Sequence, residues 1–480
     1  MATSRSSDIR ALLGGGAEED QVAVSHFLIG AGYLVLGGIL ALFALLSLRF
    51  PDQSPVSFGR IELMSNTALI LGFAVTTLTG GIYYALPRLT GARLARVGLA
   101  RLGLFGLTGL TGLGMLSVAF GYGDGFQPFG IPWWIDIPIA LTVFVPALVV
   151  FATLANRVEQ RSYVTIWFVI GGVVWLPLLY VTSTLASLPF ANSLFDAFGG
   201  GFLTAGMANL WILTVGMGLF YYSLVKEVGV PLASRQLAAA GFWSLGFAAA
   251  WWGAAQFTFG PGPDWVDGVA AAFGLALPIG ALANAANYSL TLENSWEKVS
   301  EYPGVTSGVI GSYFAVVVGS LAAFGSFPSI ASAVSLTSFW EGIEYAALLG
   351  LAPMLAAGTV FSAVGRLVGR EIPDHQRRVR RFNAMTVVGA GGVLISLVAA
   401  GLYSGYSWIG GSNSAAYTDV GEGWAQASGT TVGTLILIAV GFGVVSLLGQ
   451  FAYAGVVFGT VTTGKSVPQE VLVSRVGDDE

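Results

Sequence analysis

Long apolar runs separated by short polar stretches set the pattern of this chain. The hydrocarbon core of a bilayer is about 30 Å thick and takes about 20 apolar residues per helix. On that measure the runs at 25–47, 63–86, 103–121, 136–155, 163–187, 200–225, 238–259, 266–290, 305–326, 339–365, 384–407 and 431–461 read as twelve transmembrane helices. The 103–121 run is the weakest by length, and the last is long enough to tilt. The pattern predicts an all-α membrane protein of about twelve spans: a segment 1–24, a helical domain 25–461 and a tail 462–480. No small-residue cleavage site follows a short apolar core near the start, so the first run reads as a retained helix and not a signal peptide.

The polar stretches between runs carry a strong asymmetry. Of the 21 Lys and Arg, 19 fall at the two ends or in loops after even-numbered runs, and only Arg49 and Arg60 fall on the other side. Basic residues concentrate on the cytoplasmic side of membrane proteins, which predicts both termini in the cytoplasm of a prokaryotic cell membrane. A miscounted helix would have scrambled the segregation. The opposite loops are acidic and aromatic, with Asp124, Trp133, Trp134, Asp136, Asp264, Trp265, Asp267, Asp419, Glu422 and Trp424. The cluster Arg377 to Arg381 reads as a topology anchor before it reads as a lipid site.

Composition sharpens the reading. Of 480 residues, 55% are hydrophobic and only 10% charged, at a mean hydropathy of +0.75. Soluble domains carry roughly 25% charged residues, so the solvent is lipid and a soluble enzyme is excluded. The 67 glycines lie within the apolar runs; Gly103, Gly106, Gly109 and Gly112 form a candidate helix-contact face. The absence of cysteine removes disulfides, thiolate metal sites, iron–sulfur clusters and covalently attached c-type haem. No Walker loop, dinucleotide fingerprint, HExxH or nucleophile elbow occurs, and nucleic acid is not a partner of such a chain.

Charged positions inside the runs are few. In SLTSFWEGIEYAALLG, Ser338 and Glu341 have the spacing of a capping box, which gives Glu341 a structural role at a helix start. Glu344 lies one turn deeper, where a carboxylate is costly and marks a functional-site candidate. Asn284, Asn287 and Gln256 read as interhelical hydrogen-bonding groups.

Several stretches resemble the catalytic subunit of cbb-type (C-family) haem-copper oxidases. The family's G-R-x-x-P-L-H-T-N-A is matched by GRIELMSNTA at 59–68, with Tyr83 and Tyr84 following. W-P-I-D-I and Y-V-x-x-W-F are matched by Trp133 to Ile137 and Tyr163 to Phe168. H-F-W-A-L, W-A-G-P-H-H-L-H-Y and P-D-W are matched by GFWSL at 241–245, WWGAAQFTF at 251–259 and Pro263 to Trp265. T-L-x-x-A-W-x-K is matched by TLENSWEK at 291–298, so the resemblance spans roughly 59–370. It implies a haem-copper oxidase subunit I bundle of twelve helices.

It also implies six histidine ligands, and none is present. The helix-two haem ligand falls on Ser65, the copper ligands near Ala205 and on Ala255 and Gln256, and the helix-ten haem ligands on Ile343 and Tyr345. The two histidines of the chain, His26 and His375, lie elsewhere. Met64, Met207 and Met354 read as packing groups, although methionine can ligate haem, and Tyr345 has a donor known from ferric haem. The expectation is a non-redox homologue without cofactor or metal, a scaffolding, regulatory or proton-conducting subunit beside other membrane subunits of a respiratory complex. Glu344, Tyr345, Gln256 and Glu341 form its candidate polar network. The alternative is a redox-active oxidase or nitric-oxide-reductase-like subunit holding haem b by unconventional ligands. A transporter reusing the bundle is a third reading, and no internal repeat is evident for it.

Overall fold

The computed structural model describes residues 17–466 apart from 125–127, 190–192, 254, 256–257, 260–261 and 413–420. Among the described residues the structure is a helical bundle, and extended pairing is limited to one isolated bridge between Arg370 and Ser466. Lipid offers no hydrogen-bond partners to the main chain, which leaves helices that satisfy themselves as the spanning solution.

Eleven of the described helices are long and apolar enough to cross a membrane. Spans 1 to 6 are Glu18–Arg49, Phe58–Thr90, Val97–Ala119, Trp133–Ala155, Val164–Ala186 and Leu194–Val228. Spans 8 to 12 are Asp264–Thr291, Pro303–Gly325, Phe339–Val368, His375–Ile409 and Gly429–Thr463. Between them, in the place of span 7, lies Arg235–Trp252, an 18-residue helix capped by Ser234, whose hydroxyl accepts the Leu237 N–H at 3.1 Å. Its opening Arg-Gln and its three tryptophans lower its hydropathy below that of its neighbours. At 1.5 Å per residue it is about 27 Å long, close to the bilayer core.

Spans 2, 6 and 10 form the centre: their most apolar windows are 100%, 83% and 94% buried, against at most 61% in the other candidate spans. All three change local geometry in mid-membrane, with π-helical segments at Ala68–Val75, Met207–Leu213 and Ala347–Leu351. Local chemistry accounts for the widening. Thr76 and Thr214, immediately after the first two segments, donate their hydroxyls to the carbonyls five residues back, at Leu71 (3.0 Å) and Asn209 (2.8 Å). After the third, Pro353 lacks an N–H and its ring crowds the carbonyl four residues earlier. The Ala68–Val75 segment packs against the other two. Each of these spans also ends on a left-handed glycine, Gly91, Gly229 or Gly369, whose N–H closes the last turn.

The ends of the even-numbered spans meet the start of span 1 and the end of span 12 at one face. Arg88 pairs with Asp20 at 3.1 Å, Arg366 with Glu227 at 2.9 Å, and the Glu371 N–H donates to the Lys465 carbonyl at 3.0 Å. This terminal face gathers the basic loops that the sequence pattern groups together.

The glycine row of span 3 meets other spans at three of its four positions, with Gly112 against the Tyr33 hydroxyl of span 1. Gly103 packs on Val145 and Gly106 on Thr142, but Gly109 meets open space. A repeat of three residues drifts around a helix of 3.6 residues per turn, so four such glycines do not stay on one side.

Candidate functional site

The positions aligned with metal ligands converge on the bundle centre. Ser65, Ala205 and Tyr345 each sit in the turn that leads into a π-helical segment, and Ile343 lies one half-turn earlier. Ala205 and Ile343 line a common cavity of about 80 Å³, with Asn209, Trp252, Leu348 and Glu344. Ser65 is fully buried and donates to the Gly37 carbonyl of span 1 at 3.1 Å. Ala255 is buried apart from the cavity lining, and Gln256 lies outside the described residues.

This centre does not fit a haem or a copper ion. Its donors are a serine hydroxyl committed to a backbone carbonyl, alkyl groups and a phenol, where iron and copper sites use imidazole or comparably strong ligands. Among the described residues no group of three His, Cys, Asp or Glu is placed to hold a metal. A cavity of about 80 Å³ is also far below the roughly 300 Å³ at which cofactor pockets begin. It suits two or three waters at about 30 Å³ each.

Carboxyls gather beside the cavity. Glu344 is half-buried, and its Oε1 accepts the side-chain N–H of Asn66 on span 2 at 2.7 Å. Glu62, one turn before Asn66, interacts electrostatically with Glu344 and Glu341. Spans 2 and 10 enter from the same face, opposite the terminal one, so their first turns bring the three carboxyls together. The Tyr345 hydroxyl is buried beside them with no partner among the described residues.

Two expectations are corrected by this arrangement. The partner of Glu344 is Asn66, which lies outside the network of Glu344, Tyr345, Gln256 and Glu341 that the sequence reading offers. The capping box at Ser338 and Glu341 does not form: Ser338 makes no cap bond and donates instead to Leu397 O on span 11 at 3.1 Å, while Glu341 Oε2 is buried without a partner. Asn284 and Asn287 belong to a separate cluster, in which the Tyr221 hydroxyl donates to Asn284 at 2.8 Å and Asn287 donates to that hydroxyl at 3.1 Å and to Ser234 O at 2.8 Å. That cluster is interhelical glue, as expected.

Glu62 and Asn66 are the site residues the sequence reading passes over. Their signal was available: a carboxyl and an amide four residues apart lie on one helix face. Asp136, grouped with the loop acids by sequence, is buried at the start of span 4 and accepts hydroxyls from Tyr180 and Thr184, each at 2.6 Å. His26 is also buried, bonded within its own helix to Val22 O and edge-on to Tyr83. Met207 and Met354 are fully buried packing groups.

The comparisons with known proteins agree with this geometry. The family model of Cytochrome C and Quinol oxidase polypeptide I matches residues 21–440. Cbb3-type cytochrome c oxidase subunit CcoN1 of Stutzerimonas stutzeri is 24% identical over 390 residues, 78% of this chain and 81% of that protein. A cytochrome c oxidase subunit 1 homolog of Azorhizobium caulinodans is 24% identical over 461 residues, 92% of this chain and 80% of the relative. A heme-copper terminal oxidase dimer solved by cryo-EM superposes with a TM-score of 0.73 at 11% identity, over 94% of this chain and 85% of that one, which establishes the shared fold. The chain belongs to the Cytochrome C and Quinol oxidase polypeptide I family.

The Asn66–Glu344 bond yields a direct test. Asn66→Leu leaves the Glu344 carboxyl without its donor and is expected to cost about 1–3 kcal/mol of stability. Adding Glu344→Leu should restore part of that loss, because both polar groups are then gone. Apparent Tm values of the single and double variants in detergent check this, and simple additivity would show that the two do not interact.

Proposed function

We propose that this member of the Cytochrome C and Quinol oxidase polypeptide I family is a non-redox membrane subunit that conducts protons within a respiratory complex. One observation carries the reading. At the bundle centre, where relatives named as oxidases belong to the same family, this chain has no strong metal donor among its described residues, but it has carboxyls beside a small cavity. Glu62, Glu341 and Glu344 interact electrostatically at the edge of the central spans, which puts several proton-binding groups in one region. Acidic groups inside a bundle typically mark proton relays.

The redox alternative has a single observation in its favour, the unpartnered phenol of Tyr345. The small cavity and the committed Ser65 hydroxyl weigh against it. A pyridine haemochrome assay and metal analysis on protein purified with its natural lipids separate the readings. The expected result is no stoichiometric haem or copper; about one haem per chain would overturn the proposal.

Glu344 tests the proton reading itself. Glu344→Gln keeps shape and hydrogen bonding and removes the titrating group, so the variant should assemble normally and lose proton uptake in proteoliposomes. Glu344→Leu should impair assembly as well. Normal assembly and uptake in both variants would refute any role for this carboxyl.

The same reading places both termini and the 366–381 loop in the cytoplasm, supported by the collection of basic loops at the terminal face. The cysteine-free chain makes single-cysteine labelling clean. A cysteine in place of Arg377 should resist an impermeant reagent in intact cells and react after permeabilisation, and ready labelling in intact cells would reverse the orientation.

A further inference from the structure

The first turns of spans 1 and 3 flank a groove at the terminal face, away from the carboxyls and the central cavity. Glu18, Gln21, Val22 and Ser25 of span 1 lie three, four and seven residues apart, which puts them on one helix face. Arg101, Leu104 and Phe105 share a face of span 3 in the same way. These seven residues line a groove of about 320 Å³, and small-molecule sites begin at roughly 300 Å³. Val22 and Leu104 are the buried part of the lining, and Phe105 is exposed at its edge. Deeper in the membrane the same two spans are tied together, where the Tyr33 hydroxyl donates to the Thr108 carbonyl at 2.7 Å.

Three acids open span 1, and the fold uses them differently. Glu19 Oε2 accepts the Leu94 N–H at 2.9 Å, and Asp20 pairs with Arg88 at 3.1 Å, so both hold the span 2–3 connection in place. Glu18 lines the groove instead, and Arg101 lines it from span 3. Among the described residues these two opposite charges share one groove and do not form an ion pair with each other. Between them, Ser25 donates its hydroxyl to the Gln21 carbonyl at 2.8 Å, which leaves the Ser25 oxygen able to accept a further bond. The lining therefore offers a cation on one side and acceptors on the other.

We propose that this groove binds one phospholipid with a zwitterionic, primary-amine headgroup, a phosphatidylethanolamine, from the leaflet at the terminal face. Arg101 takes the phosphate, because a guanidinium presents several N–H donors in a fork that matches phosphate oxygens. Glu18 takes the ammonium, with the Ser25 oxygen as a second acceptor. The depth order fits a lipid standing in its leaflet. Phe105 lies about 6 Å deeper along span 3 than Arg101, and one turn further Gly109 meets open space, which leaves room for an acyl chain. Both charges are needed to read the headgroup. Phosphatidylglycerol brings a phosphate but sets no cation against Glu18. Phosphatidylcholine brings a cation without N–H groups, so it cannot donate a hydrogen bond to Glu18 or Ser25. Only the primary ammonium satisfies the acceptors while the phosphate satisfies Arg101.

Native mass spectrometry of the full chain in detergent, titrated with phospholipids of identical acyl chains, tests the assignment. The unmodified chain should hold one phosphatidylethanolamine about tenfold more tightly than phosphatidylcholine, the size expected of a charge-assisted hydrogen bond. Glu18→Gln should bring phosphatidylethanolamine down to the phosphatidylcholine level. Arg101→Gln should weaken both lipids by about tenfold, because both carry the phosphate. Glu18 and Arg101 are exposed, so neither substitution disturbs the packing of the bundle. Arg381→Gln, at another exposed basic position near the start of span 11, should change neither lipid. Equal affinity for the two lipids in the unmodified chain would overturn the inference. A preference for phosphatidylglycerol would also overturn it, since that is the behaviour of a simple basic surface. So would a preference for phosphatidylethanolamine that survives Glu18→Gln, or binding of both lipids that is indifferent to Arg101→Gln.

Discussion

A polar side chain inside a bilayer has nowhere to go but inward, and the organisation of this protein follows from that constraint. Hydrocarbon satisfies neither a carboxyl nor an amide, so Glu344, Asn66, Asp136, Asn287 and Gln450 all lie within the bundle. The partners of Glu344, Asn66, Asp136 and Asn287 come from other helices and their caps, and these bonds help to fix which helices are neighbours. Asn66 ties span 2 to span 10, Asp136 ties span 4 to span 5, and the Tyr221 cluster ties span 6 to span 8. Contacts between helices in lipid owe little to hydrophobic force, which leaves close glycine packing and these polar bonds to do the work.

The three central spans combine a conserved shape with altered chemistry. Their π-helical segments have local causes: hydroxyls reaching back five residues in spans 2 and 6, and a proline in span 10. Such segments often occur at functional sites. Here they border a mainly apolar cavity whose lining includes Thr204, Asn209 and Glu344. Family membership and fold fix the frame, and the side chains in it decide the chemistry. In this chain the frame has no strong metal donor among its described residues and has carboxyls at its edge.

Two polar systems of different character then share one bundle. The carboxyl cluster is acidic, is tied to Asn66 through Glu344 and lies next to the central cavity. Asn383 and Thr386 of span 11 with Ser446, Gln450 and Tyr453 of span 12 form a buried uncharged group without hydrogen-bond partners among the described residues, and Gln450 meets span 1 at Gly38. The serine at an aligned ligand position lies between them, bonded to the carbonyl next to Gly38.

Much of this was legible in the chain. Apolar runs of bilayer length gave the spans, since the thickness of hydrocarbon sets a length that composition reveals directly. Span 7 shows the limit, because its Trp-rich helix, opening on Arg235, is in place yet falls below its neighbours in hydropathy. Motif order gave the family, and the absence of histidine from the six aligned ligand positions gave the departure from it. Sequence also marked Glu344, because an acidic residue in an apolar run is costly wherever the run folds. Its partner, the failed cap at Ser338 and the meeting of Glu62 with Glu341 and Glu344 were decided only by tertiary structure. A hydrogen bond between residues 278 positions apart depends on which helices are neighbours and how each is rotated, and no local pattern carries that information.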